Sequence, residues 1–267
     1  MRSAALVAMR CAATPDTASG LDVLSATLGR RLRTDARAIG TPRVAGPADP
    51  AAELARARGC LLEAGGQIDD ALHAGTLPVL LAGDGAISLA TLPTVARRRP
   101  DARVLWLDAH ACFLTPGSEP PPPLERTSLA GACGGWDTGW PDVLAPERLV
   151  LCGTRVIEDA ERERLAAVPV RVIGTTLETL VHLQHALDGA PTYVHLDIDV
   201  LDDEAMPVSG SVPGGLTVEK LLDLLDAVAD SCEVVGLQVC GFAPQGEGEA
   251  DEPLAAVVAS VLDPLLP

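Results

Sequence analysis

The segment at residues 107–112 ends an apolar run with three side chains that can bind a metal ion. Its sequence is Leu-Asp-Ala-His-Ala-Cys, so Asp108, His110 and Cys112 occupy alternate positions. Alternate side chains on an extended segment point the same way, so a carboxylate, an imidazole and a thiol can converge on one ion. An acidic strand end followed by a solvated histidine would have the same sequence, and this segment alone leaves both interpretations open.

A second segment, residues 195–203, alternates apolar and acidic side chains at the end of another apolar run. Asp197 and Asp199 lie on one face of an extended strand. Burying two carboxylates together is costly unless a cation or a proton neutralises them, and a metal ion is the usual solution. The alternative is that the pair lies in water beyond the sheet edge. His195 shares this face and is a weaker candidate for a catalytic base, with a hydrogen-bonded core histidine as the more ordinary interpretation.

Together the two segments supply three carboxylates, one imidazole and one thiol. The candidate metal ligands are Asp108, His110, Cys112, Asp197 and Asp199. Oxygen donors with one imidazole favour Mn²⁺, Mg²⁺ or Fe²⁺, whereas a thiolate ligand shifts the preference towards Zn²⁺. Cys112 is also a candidate nucleophile, because a thiol beside an imidazole is activated when its pKa is lowered.

The elements that must position these side chains alternate along the chain. Short apolar runs predict strands at 4–9, 77–82, 103–107, 148–152, 168–173, 192–198 and 233–240. Helical periodicity and Thr, Asp or Ser caps predict helices at 51–72, 87–98, 158–167, 176–187, 217–229 and 252–262. The repeated order predicts an α/β fold, a three-layer α/β/α arrangement with a mostly parallel sheet, in a single domain over residues 1–267.

Three irregular segments interrupt this alternation. Residues 116–123 contain five prolines and must form a loop, which follows the strand that ends at Asp108. Gly214 and Gly215 predict a second turn, and residues 246–249 an acidic third one. Because ligand sites of parallel sheets form from loops at the carboxyl ends of strands, the proline loop is expected to border a site.

The overall composition excludes some classes of partner. The formal net charge of −17 argues against nucleic acid, because such partners require clustered Lys and Arg. The first apolar run, residues 4–9, is too short to cross a membrane. Seven cysteines lack paired spacing and no secretion signal precedes them, so we expect reduced thiols and a cytoplasmic protein.

The order and spacing of four motifs resemble those of the arginase/agmatinase (ureohydrolase) family. The matching segments are Ala82-Gly83-Asp84-Gly85, Asp108-Ala109-His110-Ala111-Cys112, Asp197-Ile198-Asp199-Val200-Leu201-Asp202 and Ser211-Val212-Pro213-Gly214-Gly215-Leu216-Thr217. The family carries, in the same order, Gly-Gly-Asp-His, Asp-Ala-His-x-Asp, Asp-x-Asp-x-x-Asp-Pro and Thr-Pro-x-Gly-Gly-Leu-Thr. The resemblance implies an arginase/deacetylase-like fold and a manganese-dependent hydrolase.

The departures from the family pattern affect one metal site more than the other. The family's first manganese is held by a histidine and an aspartate at positions that are Gly85 and Cys112 here. The ligands of its second manganese correspond to Asp108, His110, Asp197 and Asp199. The resemblance therefore implies one Mn²⁺ rather than two, with Zn²⁺ or a metal-free protein as alternatives.

Other departures concern catalysis and substrate. The family's proton-shuttling histidine corresponds to Ala130 in the best alignment of a variable loop, and its guanidinium-binding carboxylate corresponds to Gly241. An asparagine that holds the amino-acid end of arginine corresponds to Leu114. A cationic guanidinium without its countercharge is costly to bind in an apolar site, so we do not expect arginine itself as the substrate.

The resemblance thus implies a metal-dependent hydrolase of a C–N bond in a modified guanidino, amidino or amide compound, acting on a small molecule. Two alternatives stay open at this point. One is a metal-free or non-hydrolytic protein, with a binding role or an enzyme activity based on Cys112. The other is a mononuclear zinc deacylase that uses Asp108, His110 and Asp199. A homo-oligomer is compatible with the resemblance, since family members often form trimers or hexamers.

Overall fold

The computed structural model describes residues 3–44, 49–244 and 251–267 of the chain. Within this part, eight strands form one sheet in the order β2-β1-β3-β8-β7-β4-β5-β6, with all neighbours parallel. The strands are β1 (Ala4–Met9), β2 (Arg37–Ile39), β3 (Leu77–Ala82), β4 (Arg103–Leu107), β5 (Leu149–Cys152), β6 (Arg171–Ile173), β7 (Thr192–Asp197) and β8 (Val234–Cys240). The predicted parallel sheet is confirmed.

Helices cover both faces of this sheet. They are α1 (Pro15–Leu32), α2 (Pro50–His73), α3 (Ser88–Arg98), α4 (Ser128–Ala132), α5 (Asp159–Ala166), α6 (Thr179–Leu187), α7 (Val218–Ser231) and α8 (Asp251–Leu262). The buried side chains of α1, α6, α7 and α8 form one apolar core with the sheet, and those of α2, α3, α4 and α5 form the other. The predicted three-layer α/β/α arrangement is therefore confirmed.

The central strands are buried along their whole length because both faces are covered. All six residues of β3 and all six of β7 are buried. Burial on both faces explains why parallel strands of this kind have nearly continuous apolar sequences. Strand β7 departs from this rule with three buried polar residues, Thr192, His195 and Asp197. His195 and Asp197 face the same layer, and their burial requires polar partners.

Some elements differ from the sequence-based predictions. Helix α1 was not predicted, although it begins at a Thr14 capping box and buries Leu21, Leu24 and Leu28 at helical spacing. The three-residue edge strand β2 is too short to carry a periodic signal. Strand β6 is shorter than predicted because residues before Arg171 form a turn instead. The predicted turn at 246–249 lies outside the described residues.

Four neighbouring strands in the middle of the sheet carry the motif residues at their carboxyl ends. Strand β4 runs into Asp108, β7 ends at Asp197, β3 is followed by Gly83, and β8 is followed by Gly241. In the sheet order these strands are adjacent as β3-β8-β7-β4. The parallel topology therefore brings segments that are far apart in sequence to one edge, as the motif order predicted.

No helix in the described part of the chain is long and apolar enough to cross a membrane.

Two of the seven cysteines are oxidised, contrary to the prediction of reduced thiols. Cys11, which follows β1, and Cys60 in α2 form a disulfide with their Cα atoms 5.7 Å apart, so the expectation of reduced thiols is wrong for this pair. The two residues are 49 positions apart, and only the packing of α2 against the end of β1 brings them together.

Thiol counting tests this disulfide. Alkylation of the denatured protein without reductant should label five cysteines, since Cys112, Cys133, Cys152, Cys232 and Cys240 are free. Prior reduction should raise the number to seven. The Cys60→Ser variant should show six labelled thiols under both conditions, because seven cysteines lose one and Cys11 loses its partner. Seven labelled thiols in the unreduced native chain would contradict the structure.

Candidate metal centre

A cleft of about 530 Å³ opens at the carboxyl ends of the four central strands. Its floor contains the side chains of Asp108, His110, Asp197 and Asp199, and one wall is the proline-rich segment 120–123. The predicted position of the proline loop beside the site is therefore correct. All four floor residues were candidate metal ligands, and the structure brings them together.

Backbone hydrogen bonds fix the segment after β4. The Asp108 carboxylate accepts the backbone N–H of His110 at 2.6 Å, and the Thr154 hydroxyl donates to the Asp108 carbonyl at 3.0 Å. The backbone N–H of Ala109 donates to Oδ1 of Asp199 at 3.0 Å, which ties this segment to the end of β7. The turn therefore holds both carboxylates in place through main-chain groups.

The end of β7 places its two aspartates by a similar device. A 3-10 turn at Ile198–Val200 follows the strand, and Oδ1 of Asp197 accepts the backbone N–H of Asp199 at 3.1 Å. Nδ1 of His110 lies 2.7 Å from Oδ2 of Asp199. The ligand atoms of Asp108, His110 and Asp199 all lie within 4.8 Å of one another, a spacing that suits a single metal ion.

The electrostatics of this cluster are dominated by buried negative charge. Burial, and then the charges of Asp199 and Asp108, raise the pKa of Asp197 well above its ordinary value. Burial and the charge of Asp108 also raise the pKa of Asp199. For His110, burial alone would lower the pKa, but hydrogen bonds to Asp108 and Asp199 outweigh it and raise the pKa to about 9.

The imidazole of His110 is thus the cationic group that pairs with these aspartates. The nearby Arg155 directs its guanidinium to backbone carbonyls, including those of Asp199 and Val212, rather than to the carboxylates. Three buried carboxylates with one imidazole leave an excess of negative charge, which a divalent cation would neutralise. The donor set of oxygens with one imidazole nitrogen fits such a cation.

Cys112 borders the cleft in a constrained conformation. Its φ is +51°, and its Sγ lies 3.5 Å from Oδ2 of Asp108, with the thiol as donor. Burial, and then the charge of Asp108, raise the pKa of the thiol well above its ordinary value. The thiol bonds to a carboxylate rather than to His110, so this geometry gives no support to an activated nucleophile. Its role as a metal ligand stays a prediction.

His195 lies under the floor of the cleft and is fully buried. Its ring stacks on Trp106 with centroids 3.5 Å apart, and its Nδ1 lies 2.8 Å from the side-chain amide nitrogen of Gln238. Burial lowers the pKa of His195 to about 3, so the imidazole is neutral. The interpretation as a hydrogen-bonded core histidine accounts for Nδ1 but not for Nε2, which has no hydrogen-bond partner.

The turn after β3 contacts a carboxyl group, that of Glu125, which was not among the predicted site residues. Oε1 of Glu125 accepts the backbone N–H of Gly85 at 3.2 Å, and the side chain lines the cleft. Burial, and then the charge of Asp84, raise the pKa of Glu125 to about 8. Asp84 itself pairs with Arg43 at 2.7 Å. The position of Glu125 directly after the proline-rich loop was the available sequence signal.

Ala130, which corresponds to the shuttle histidine in the sequence-based alignment, does not line the cleft. Ala130 is fully buried within α4, and this segment faces the cleft through Glu125 and Arg126 instead. Arg126 is committed to ion pairs with Glu158 and Glu161 at 3.2 and 3.6 Å. Glu125 is therefore the side chain of this segment that is available for proton transfer.

The structure also explains the absence of a side chain at Gly241. Its φ is +75°, and a Cβ built on it would lie 2.1 Å from Oδ1 of Asp197. Leu114 lines the same cleft and contributes an apolar surface. This backbone excludes a carboxylate side chain at position 241, because any Cβ there would collide with the carboxylate of Asp197.

The chain is similar in sequence to known hydrolases. The family model described as "Arginase family" matches residues 31–263. An N(omega)-hydroxy-L-arginine amidinohydrolase from Streptomyces lavendulae is 32% identical over 226 residues, covering 85% of this chain and 82% of that protein. An agmatinase from Bacillus anthracis is 31% identical over 188 residues, covering 69% of this chain and 62% of that protein.

Solved structures share the fold at low sequence identity. An arginase from Bacillus cereus superposes with a TM-score of 0.82 at 18% identity, covering 98% of both chains. A proclavaminate amidino hydrolase from Streptomyces clavuligerus gives a TM-score of 0.74 at 18% identity, covering 98% of this chain and 91% of its own. These likenesses show that the fold is that of arginases.

Substitution of Gly241 tests the contact with Asp197. The Gly241→Ala variant should lower both the melting temperature and the affinity for Mn²⁺, because the added Cβ would displace the Asp197 carboxylate. The left-handed backbone alone costs a non-glycine residue about 1–2 kcal/mol. Thermal denaturation and calorimetric titration with Mn²⁺ measure the two effects.

Gly214→Ala is the matched control for this variant. Gly214 has a φ of +82°, and a Cβ there would have nothing within 4 Å. It should therefore show the backbone cost without the loss of Mn²⁺ affinity. Equal Mn²⁺ affinities in the two variants would contradict the proposed packing of Gly241 against Asp197.

Proposed function

This chain belongs to the arginase family, and from that premise we propose that it hydrolyses a C–N bond of a guanidino compound with the help of a divalent cation. The observation that carries the proposal is the convergence of Asp108, His110 and Asp199, whose ligand atoms lie within 4.8 Å of one another. Asp197 lies beside them with its carboxylate buried. The amidinohydrolase and agmatinase named above support a guanidino substrate.

Asp108, His110, Asp197 and Asp199 would hold this cation at the floor of the cleft. Their oxygen-rich donor set favours Mn²⁺, and Cys112 as an additional ligand would favour Zn²⁺. A bound divalent cation would act as a Lewis acid and lower the pKa of a water molecule towards neutrality. The remaining steps depend on how the side chains of the cleft position the substrate and move protons.

The absence of a carboxylate at position 241 favours a weakly basic substrate. Gly241 provides no carboxylate for a guanidinium cation, and the backbone there excludes one. An electronegative hydroxyl group on a guanidino nitrogen lowers the basicity of the guanidine, so a hydroxyguanidine binds as a neutral molecule and needs no countercharge at position 241. We therefore propose an N-hydroxyguanidino amino acid such as Nω-hydroxy-L-arginine, in keeping with the name of the Streptomyces lavendulae relative.

In this reaction the oxygen of water bonds to the guanidino carbon, and the bond from that carbon to the alkyl nitrogen breaks. The alkyl amine leaves after it gains a proton, and the other product is a hydroxyurea. The leaving amine therefore requires a proton donor within the cleft. Glu125 lies in the cleft with a pKa raised to about 8 by burial and by the charge of Asp84, so it can carry that proton near neutral pH.

Substrate selectivity gives the first test. The Mn²⁺-loaded protein should convert Nω-hydroxy-L-arginine to the amine and hydroxyurea, and should convert L-arginine at least about 100-fold more slowly. An unpaired buried charge costs about 3 kcal/mol, which corresponds to that ratio. Mass spectrometry of both products measures the rates. Equal rates for the two compounds would contradict the proposed substrate class.

Loss of a metal-binding carboxylate gives the second test. Asp197→Asn should abolish the hydrolysis, since one of the four cation-binding side chains loses its charge. Asp223→Asn on the exposed face of α7 should retain the wild-type rate. Retained hydrolysis in the Asp197 variant would contradict the proposed function.

The proton-carrying role of Glu125 gives a third test. Glu125→Gln should lower kcat by about 100-fold, the usual scale for loss of a general acid, while the Mn²⁺ content stays unchanged. It should also change the pH profile of kcat, because the amide does not titrate. Glu119→Gln, at an exposed position in the same loop, is the control. An unaltered kcat in the Glu125 variant would remove this residue from the mechanism.

A further inference from the structure

One nitrogen of the buried imidazole of His195 has no assigned role in the structure. His195 is 0% exposed, and its Nε2 has no hydrogen-bond partner. An unsatisfied buried polar atom costs about 1–3 kcal/mol. Such an atom in an otherwise well-paired interior requires a specific explanation, and an ion is one of the ordinary explanations.

The surroundings of His195 indicate which ligand Nε2 would take. The ligand atoms of His195, Asp108 and Asp197 all lie within 4.8 Å of one another. This group shares Asp108 with the cluster formed by Asp108, His110 and Asp199, and differs from it in its other two members. Because a carboxylate has two oxygens, Asp108 can contribute to both clusters.

Gly85 leaves the space beside this imidazole free. A Cβ built on Gly85 would lie 3.6 Å from Cε1 of His195 and 3.8 Å from Oε1 of Glu125. A larger side chain at position 85 would compete with the imidazole for this volume. Glycine in the turn and histidine on β7 therefore form a complementary pair, in which the strand supplies the imidazole that the turn lacks.

The partner of Nδ1 permits the tautomer that a metal ligand needs. Ligation through Nε2 requires a proton on Nδ1, which must then donate to an oxygen. The amide nitrogen of Gln238 lies 2.8 Å from Nδ1 and donates to Oγ of Ser88 at 2.7 Å and to Sγ of Cys240 at 3.7 Å. The amide oxygen accepts from the hydroxyls of Thr91 at 2.7 Å and Tyr193 at 3.5 Å. Hydroxyl and thiol groups donate or accept, so rotation of the amide by 180° keeps all of these bonds and presents its oxygen to Nδ1.

We propose that His195, with Asp108 and Asp197, forms a second divalent-cation site beside the one at His110. Trp106 stacks on the imidazole and Gln238 orients it, so its ring plane is fixed before the cation arrives. The inference rests on the metal centre of the proposed function. It revises the expectation from the sequence that glycine at position 85 leaves this protein with one ion.

The test uses the full-length protein labelled with ¹⁵N in its histidine rings. The chain has five histidines, and His73, His182 and His185 are exposed on helices away from the cleft. Saturation with ¹¹³Cd²⁺, a diamagnetic substitute for Mn²⁺, should shift the ring nitrogens of both His110 and His195 and split them by coupling to cadmium. The three helix histidines should be unchanged. A spectrum in which His195 does not respond would overturn the proposal.

Stoichiometry provides a second readout. The His195→Gln variant should bind about one Mn²⁺ per chain where the wild type binds about two, and the His185→Gln control should bind as the wild type does. Two ions retained in the His195 variant would overturn the proposal, and the wild-type spectrum decides if that variant does not fold.

A hydrolysis assay on the same Mn²⁺-loaded preparation separates this inference from the proposed function. Cadmium coupling at His195 without turnover of Nω-hydroxy-L-arginine would support the second site and contradict the function. Turnover of Nω-hydroxy-L-arginine with cadmium coupling at His110 alone would support the proposed function and contradict the second site.

Discussion

The fold holds several carboxylates together inside a low-dielectric cleft, and the rest of the site depends on how their repulsion is relieved. Asp108, Asp197 and Asp199 are buried within reach of one another, and Glu125 adds a fourth carboxyl group nearby. One protonated imidazole, that of His110, does not balance this charge. The cluster has a physical rationale if cations neutralise it, because like charges at such distances otherwise force carboxylates to bind protons.

The sheet topology creates this constraint, and the local turns maintain it. Strands β3, β8, β7 and β4 are neighbours, so four chain segments end at one edge. Backbone N–H groups of Ala109, His110 and Asp199 hold the carboxylates in place. Gly241 then packs against Asp197 with no room for a side chain, so the departure at this position is coupled to the geometry of the metal centre. The same departure removes the countercharge for a cationic guanidinium and favours a less basic substrate.

Much of this arrangement was predictable from the sequence because it is encoded locally. The bounds of β3 and β4 follow from uninterrupted apolar runs, and the alternation at Asp197 and Asp199 predicts two carboxylates on one face. The remainder depends on tertiary proximity. The disulfide between Cys11 and Cys60 has no signal in residue spacing. The proline-rich loop indicates that Glu125 lies near the cleft but not that it approaches Gly85. The sequence-based alignment placed Ala130 at the shuttle position, whereas the side chains of this segment that reach the cleft are Glu125 and Arg126.

Plasma mass spectrometry of the metal content of the protein tests whether cations neutralise the buried carboxylates. The chain is first stripped with a chelator, then incubated with Mn²⁺ and desalted. We expect at least one Mn²⁺ retained per chain, because a divalent cation displaces the proton of His110 and neutralises the three buried aspartates around it. A chain that retains no Mn²⁺ and no Zn²⁺ would contradict it and would leave the buried carboxylates to be neutralised by protons alone.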